Sequence, residues 1–315
     1  MKNQSTILRL SLALALVCAG NADAADLSGI SGSFADIGLG LRPIGMGGAY
    51  TALASDENAA RWNPSLLANV YDPIAGFSWA KQFNVVGYSY IAAAYPIGEV
   101  LGVGAYFISA GDEVYRETTI GLSAGVAGTK FKLPEMFSFG GTVKIYTSSF
   151  GNDESGGVNR VTGSAFGYGF DLAASAQVTD EIVLSVVGKD LVNTISWDSS
   201  VDGKYDEGVP RAIVFAGAYQ DDQMAISFDL QPSFYSDAPG RFGVGTELTM
   251  FGVIKPRVGM MQNLGSSDAN RWVTIGMGIN LEPKWLGPIR IINFGYTHML
   301  HDIDSAPRVG LTIGW

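Results

Sequence analysis

Beyond its first two dozen residues the chain has no run approaching the ~20 consecutive apolar residues that a membrane-crossing helix needs. Yet 47% of its residues are hydrophobic, only 16% are charged, and its mean hydropathy is +0.19. A water-soluble protein this apolar would have to enclose a very large core. A closed β-barrel satisfies every peptide group between neighbouring strands and so crosses a bilayer without any long apolar run. Its signature is alternation, one strand face toward lipid and the other toward the lumen.

Alternating or apolar strand candidates occur at about 75–81, 85–95, 100–109, 118–131, 137–150, 164–178, 182–192, 210–220, 223–234, 241–251, 254–263, 271–282, 288–299 and 307–315. The number, about fourteen, is even, as in bacterial barrels. The even-numbered connections are mostly tight or apolar (YPIGEV, KFKLPEM, VTDE, QDDQ, MFGV, EPKWLGP). Most odd ones are longer and polar, among them SFGNDESGGVNRVTG and VNTISWDSSVDGKYDEGVP. Short periplasmic turns and long extracellular loops give this asymmetry. Only the first hairpin, around QFN, is short where length is expected. The predicted fold is therefore all-β: a transmembrane antiparallel barrel with both chain ends at the periplasm.

The strand faces separate by chemistry. Phe166, Tyr168, Phe170 and Leu172 share one side of their segment, with Gly167, Gly169 and Asp171 on the other. Lys144, Asp171, Asp229, Glu247, Arg257 and Arg308 all fall on the non-aromatic side. A Lys or Arg facing lipid at mid-depth costs roughly 2–4 kcal/mol, so these six are assigned to the lumen. Either they neutralise one another across the interior, the commoner arrangement, or they line a transport path. Aromatics near strand ends, namely Trp79, Tyr95, Phe150, Trp197, Tyr219, Phe251, Trp272, Trp285 and Tyr296, suit the two headgroup levels. At the end of the chain Val309, Leu311, Ile313 and Trp315 share a face, a pattern like the C-terminal signal by which barrel-assembly machinery recognises its clients.

The N-terminus reads as a secretory signal: basic Lys2 and Arg9, an apolar stretch from Leu10 to Ala19, and a small-residue cleavage pattern at Ala22-Asp23-Ala24. Cys18 is the single cysteine, and Val17 before it does not suit lipoprotein cleavage. Between signal and first strand lies RPIGMGGAYTALASDENAARWNPSLLA, too polar to span a bilayer and without strand alternation. Gly45, Gly47 and Gly48 permit tight backbone approach. Ser55 is a candidate cap for a short helix that Asn63-Pro64 ends. Peptide groups left unpaired in lipid cost several kcal/mol each. The segment is accordingly read as a plug folded into the lumen, the alternative being a periplasmic cap. The expected organisation is 1–24 signal peptide, 25–74 plug and 75–315 barrel, with Arg42, Pro43, Gly45, Gly47, Gly48, Asp56, Asn63 and Pro64 as plug residues.

Catalytic, cofactor and metal sites are not assigned. Gly-x-Gly recurs at Gly38/Gly40, Gly102/Gly104, Gly167/Gly169, Gly243/Gly245 and Gly276/Gly278, but without the third glycine and βαβ unit of a dinucleotide site. Glycines two apart on one strand face instead thin the inner wall, so that another backbone can approach. His298 and His301, with Asp302 and Asp304, sit in or beside a predicted outer loop, and Asp198–Gly208 lacks the fixed spacing of a calcium loop. The net charge of −10 argues against nucleic acid as a partner.

The run Arg42-Pro43-x-Gly45-Met46-Gly47-Gly48-Ala49-Tyr50, then Ala52-Leu53-Ala54-x-Asp56, then Trp62-Asn63-Pro64 resembles the opening of PorV/PorQ-type outer-membrane proteins. It is similar, more distantly, to the FadL family, whose plug also carries an Asn-Pro element. Gly188-Lys189-Asp190-Leu191 resembles an internal family element, and Ser65 stands where Asn-Pro-Ala is usual. The resemblance implies a non-enzymatic barrel in the outer membrane of a Gram-negative-type bacterium. Its first implied role is type IX-like secretion or surface attachment, with secreted clients or a translocon docking on Ser149–Gly163 and Val192–Val209. The alternative is a FadL-like passive channel for small hydrophobic molecules, released through a gap in strand pairing that Pro210 or Pro256 could mark.

Overall fold

In a computed structural model, described for residues 39–82, 86–151, 160–233, 240–264, 271–283, 285–300 and 306–315, the alternating segments are strands of one antiparallel sheet that closes on itself. The proposed signal peptide, Cys18, Gly38, His301, Asp302 and Asp304 lie outside the described residues. In chain order the strands are β1 (Ile74–Gln82), β2 (Val86–Ile97), β3 (Leu101–Gly111), β4 (Tyr115–Ala127), β5 (Phe137–Phe150), β6 (Gly163–Gln177), β7 (Ile182–Ser199), β8 (Gly203–Glu207), β9 (Ala212–Gln220), β10 (Met224–Gln231), β11 (Gly240–Leu248), β12 (Ile254–Leu264), β13 (Arg271–Leu281), β14 (Ile291–Leu300) and β15 (Ala306–Gly314). Apart from β8, neighbours in sequence are neighbours in space, β7 pairing with β9, and β1 pairs with β15 to close the ring. β8 only prolongs a hairpin on the outer end of β7, so fourteen of the fifteen strands form the wall.

Lipid and lumen impose the alternation. Along β6 the side chains of Phe166, Tyr168, Phe170 and Leu172 are exposed, whereas Ala165, Gly167, Gly169, Asp171, Ala173 and Ser175 are buried inside. The same inversion around the ring gives an apolar outer belt, including Ile91, Phe107, Leu122, Val143, Phe215, Phe228, Ile275 and Phe294. Among the described residues no helix is long and apolar enough to cross a membrane.

Several expectations are corrected. The fourth strand stops at Ala127 rather than near 131, because Gly128–Phe131 turn into a 3₁₀ helix that ends at Lys132 in the left-handed conformation, φ 61°. The stretch Val192–Val209, expected as a loop, is mostly sheet: β7 runs on to Ser199 and pairs with β8. Trp197 and Phe150 do not belong to the outer girdle. They belong to the inner side of the outer mouth, where Trp197 stacks on Tyr205 at 6.2 Å and packs against Phe150 at 6.1 Å. Trp79, Tyr95, Tyr219, Phe251, Trp285 and Tyr296 do point outward and are exposed.

Candidate functional site

The segment from Leu39 to Val70 is threaded inside the ring. It forms a short helix α1 (Leu41–Gly45), turns through Gly47 and Gly48 at φ 65° and 72°, and then forms α2 (Ala59–Trp62) and a 3₁₀ helix (Pro64–Asn69). Ser55 is exposed and caps nothing. The N-cap of α2 is Asn58, whose side chain makes no capping bond; Asp56 Oδ1 accepts from the Asn58 backbone N–H at 3.0 Å and from Asn58 Nδ2 at 3.2 Å. Asn63, extended at φ −157°, ends α2 before Pro64. The wall makes room by lacking side chains: a Cβ on Gly245 or Gly259 would strike the Met46–Gly47 backbone, and one on Gly102, Gly125 or Gly140 the Pro64–Leu67 backbone. Gly167 and Gly169 serve a different neighbour, since a Cβ there would meet Thr194, Ile195 or Asp190 of β7.

Three polar junctions hold the plug. In the first, Asn63 is fully buried; its Nδ2 donates to Thr51 O (2.8 Å), Ser175 Oγ (3.0 Å) and Ser185 Oγ (3.1 Å), and its Oδ1 accepts from Ser65 N (3.1 Å) and Ser65 Oγ (2.6 Å). The unusual Ser65 thus completes a hydroxyl chain to Ser175 and Ser185. In the second, Arg42 grips Glu247 with two nitrogens, at 3.1 and 3.0 Å, and donates to the Tyr50 hydroxyl at 3.0 Å. Asp56 lies 3.5 Å from Arg42 and accepts from Tyr50, while Arg257 Nε donates to Glu247 Oε2, the oxygen that also accepts from Arg42 Nε. In the third, Asp229 Oδ2 accepts from Thr51 N and Thr51 Oγ1.

The remaining predicted residues are placed around these junctions. Pro43 is buried in α1, and its carbonyl accepts from Gly48 N at 3.0 Å. Gly45 O and Gly47 N both bond Thr274 Oγ1, and Gly45 packs against the Arg257 side chain. Arg308 is buried on the inner face opposite Ala80 and Thr297. Val309 is exposed outside, in line with Leu311 and Ile313, and the Trp315 N–H bonds Pro73 O at 3.0 Å.

Lys144 and Asp171 belong to a separate cluster at mid-height, where the wall is irregular. Phe170 pairs with Val192 and Leu172 with Gly188, so that β6 has one residue, Asp171, where β7 has three: Lys189, Asp190 and Leu191. Asp190 adopts φ 52°, turns inward, and its N–H bonds Asp171 Oδ1 at 2.7 Å. Lys144 Nζ sits between the two carboxylates, 2.7 Å from Asp171 and 2.9 Å from Asp190, and Tyr146 donates to Asp190. The other edge of β7 loses its ladder at the same level. Pairing with β9 ends at Lys189–Ala212 and pairing with β8 begins at Ile195–Glu207. Across the interval the Asn193 side chain donates to Val209 O (2.9 Å) and accepts from Val209 N (2.6 Å), next to Pro210. At Pro256 the ladder with β13 is continuous.

Two cavities flank the plug. One, of about 50 Å³, is lined by Trp62, Lys189, Val214, Asp229, Arg241 and Met261, among others, and adjoins the bulge in β7. Lys189 Nζ lies 5.3 Å from the Trp62 ring centre. The other, of about 180 Å³, lies between the Arg42 junction and β1, β12, β13, β14 and β15, at the end of the barrel where the plug joins β1. On its edge Glu57 bonds Asn58 Nδ2 and Thr312. Burial, reinforced by the charge of Asp56, pushes its carboxyl up from the usual 4.5 to about 8.

Asp190, Asn193 and the serine chain are site residues that the alternation-based reading did not select. Lys189-Asp190 carried a signal, because two adjacent charges in one regular strand force one of them into lipid.

The sequence matches no protein-family model and no curated protein. Solved structures match over most of the chain: the CymD monoaromatic hydrocarbon channel (14% identity, 88% of this chain and 97% of that one, TM-score 0.60), the Pseudomonas putida toluene transporter TodX (12%, 88% and 96%, 0.58), and a Pseudomonas aeruginosa FadL homologue (12%, 86% and 96%, 0.57). At these identities the likeness is one of architecture. The chain therefore has the FadL-like fold, a fourteen-strand barrel with its front end packed inside.

Proposed function

We propose that the protein is a non-enzymatic, passive channel for small hydrophobic molecules in the outer membrane of a Gram-negative-type bacterium. The observation that carries this reading is the break in the wall beside a plugged lumen. The plug closes the axial route, whereas β7 lacks ladder pairing between Lys189–Ala212 and Ile195–Glu207. An apolar solute collects on the inner aromatic shelf of Phe150, Trp197 and Tyr205, next to that interval. It passes sideways once Asn193 releases Val209, so its apolar surface never needs an aqueous pore. The architecture shared with the hydrocarbon channels supports the same reading.

The secretion role implied by the PorV/PorQ resemblance receives no such support: CymD is a channel and TodX a transporter by name, and one of the two proposed docking loops is largely sheet. We also propose that barrel-assembly machinery recognises the β15 end through Val309, Leu311, Ile313 and Trp315.

Toluene entry into proteoliposomes tests the channel. Deleting Asp190 and Leu191 restores one-to-one register with β6 and leaves Lys144 paired to Asp171. The intact barrel speeds entry, and the deletion abolishes that while the protein still migrates as a folded barrel on unheated gels. Entry no faster than in empty liposomes, or an unchanged rate in the folded deletion variant, would overturn the reading.

A further inference from the structure

The chamber of about 180 Å³ beside the Arg42 junction carries more positive charge than its carboxylates balance. Arg257, 5% exposed, lines it, and its one hydrogen bond among the described residues runs from Nε to Glu247. Its two terminal nitrogens have no partner there and keep accessible surface. They reach over Gly278, where a Cβ would come within 2.6 Å of Nη2, and Gly278 is the register partner of Lys255. The guanidinium is thereby brought beside a second cation. Lys255 also lines the chamber and makes no hydrogen bond or ion pair among the described residues. The neighbouring carboxylates are taken: Glu247 by Arg42 and Arg257, and Asp56 by Arg42, Tyr50 and Asn58. Glu57 holds its proton to about pH 8 and adds no charge at neutrality. Three cations, Arg42, Lys255 and Arg257, thus stand against two carboxylates, and one positive charge is left over. Charge withdrawn from water without a counter-ion is costly.

We propose that this chamber is a binding site for a small organic monoanion, a carboxylate whose body is no larger than one ring. Charge sets the monoanion, because a single negative charge neutralises the set. Shape sets the carboxylate: the planar fork of a guanidinium matches its two oxygens, and an ammonium beside it binds as a point charge. Size and polarity set the body. Leu41, Ile74 and Ile291 give the chamber apolar walls, and a cavity of about 150 Å³ is enough to hold benzene. The ligand lies between the plug and the strands, so it binds only while the plug is docked and holds it there. The inference goes beyond the channel reading and does not rest on it, since it concerns what secures the plug and not what crosses the wall.

Calorimetry on the full-length barrel in detergent at neutral pH, with benzoate and its uncharged isostere benzamide as probes, tests the site. Benzoate binds one to one and more tightly than benzamide by roughly 10-fold or more, the worth of a hydrogen bond to a charged group. Lys255→Gln weakens benzoate by roughly 10-fold on the same ground, whereas Lys255→Arg, which keeps the charge, retains it. Both variants leave the bonds among Arg42, Glu247 and Arg257 in place, and both still migrate as folded barrels on unheated gels. Benzoate at 100 times its dissociation constant slows hydrogen exchange of the plug amides between residues 41 and 58 by about 100-fold, while strand amides are unchanged. Equal binding of the two probes, benzoate affinity unmoved by Lys255→Gln, no benzoate binding, or binding that leaves plug exchange unaltered would overturn the site. Toluene entry into proteoliposomes, measured on the same preparations without benzoate, reports on the channel alone.

Discussion

Asn63 is wholly buried, and both polar atoms of its side chain are engaged, tying plug to plug through Thr51 and Ser65 and plug to wall through Ser175 and Ser185. Asn63→Ala leaves those groups buried without partners, at a cost of about 2–4 kcal/mol in plug docking. Hydrogen exchange of the amides between residues 51 and 66 should accelerate while strand amides stay protected; unchanged protection would show that the junction carries no weight. Lys144 raises a different question, because it is a buried cation held by two carboxylates. Lys144→Met leaves Asp171 and Asp190 with uncompensated charge, and breaking such a buried pair costs about 3–5 kcal/mol. The temperature at which the folded band disappears on gels should fall well below that of the parent, and equal temperatures would refute the account. That these residues are inside was legible, since lipid forbids their charge. Their partners were not: Arg42 and Glu247 are 205 positions apart, and no local pattern ties one to the other. Ser65 could be seen as unusual, but its hydroxyl partners could not.

Elements show the same division between what periodicity dictates and what packing decides. Strands were readable because a residue facing lipid and one facing the lumen need opposite chemistry, and β6 follows that rule along most of its length. The glycine pairs were readable as thin wall, but which backbone fills the space follows only from the folded plug: Met46–Gly47 against β11 and β12, and Pro64–Leu67 against β3 to β5. Gly259→Val tests that fit, because the new side chain strikes the Met46–Gly47 backbone, which has little freedom to retreat. The barrel should still insert, with the plug displaced: higher single-channel conductance and protease cleavage between residues 39 and 70. A variant with parental conductance and an uncleaved plug would show that the contact is soft. In β7 the alternation rule fails, and the failure is informative. Lys189 and Asp190 cannot share one lumenal face in a regular strand, so the strand bulges, and Asp190 takes a left-handed turn that a non-glycine residue adopts only when its surroundings fix it. The long polar stretch after it looked like a loop because its charges have no lipid to avoid; above the membrane a sheet needs no apolar face.

At the scale of the molecule, the plug buries apolar side chains such as Ile44, Met46, Leu53, Trp62 and Leu67 inside the tube, and its few charges are set within that packing. Most charges there come in opposed sets, Arg42 and Arg257 with Glu247 and Lys144 with Asp171 and Asp190. Glu57 stands outside these sets: among the described residues it bonds neutral partners, Asn58 and Thr312, and has Asp56 beside it. Its proton is held to about pH 8 in the docked plug, against the usual 4.5 when the segment is released into water. Between those values the docked form binds more protons than the released form. Docking is therefore strongest below about pH 4.5, weakens steadily as pH rises, and reaches its minimum above pH 8, where both forms are ionised. This is opposite to the trend for a salt-bridged carboxylate, and it assigns the sign without reference to the other acids. Conductance of the reconstituted barrel should accordingly rise between pH 5 and 8, and Glu57→Gln, which keeps the hydrogen bonds and removes the titration, should flatten that rise. A parent whose conductance falls over the range, or a Glu57→Gln barrel that keeps the full slope, would place the controlling proton elsewhere.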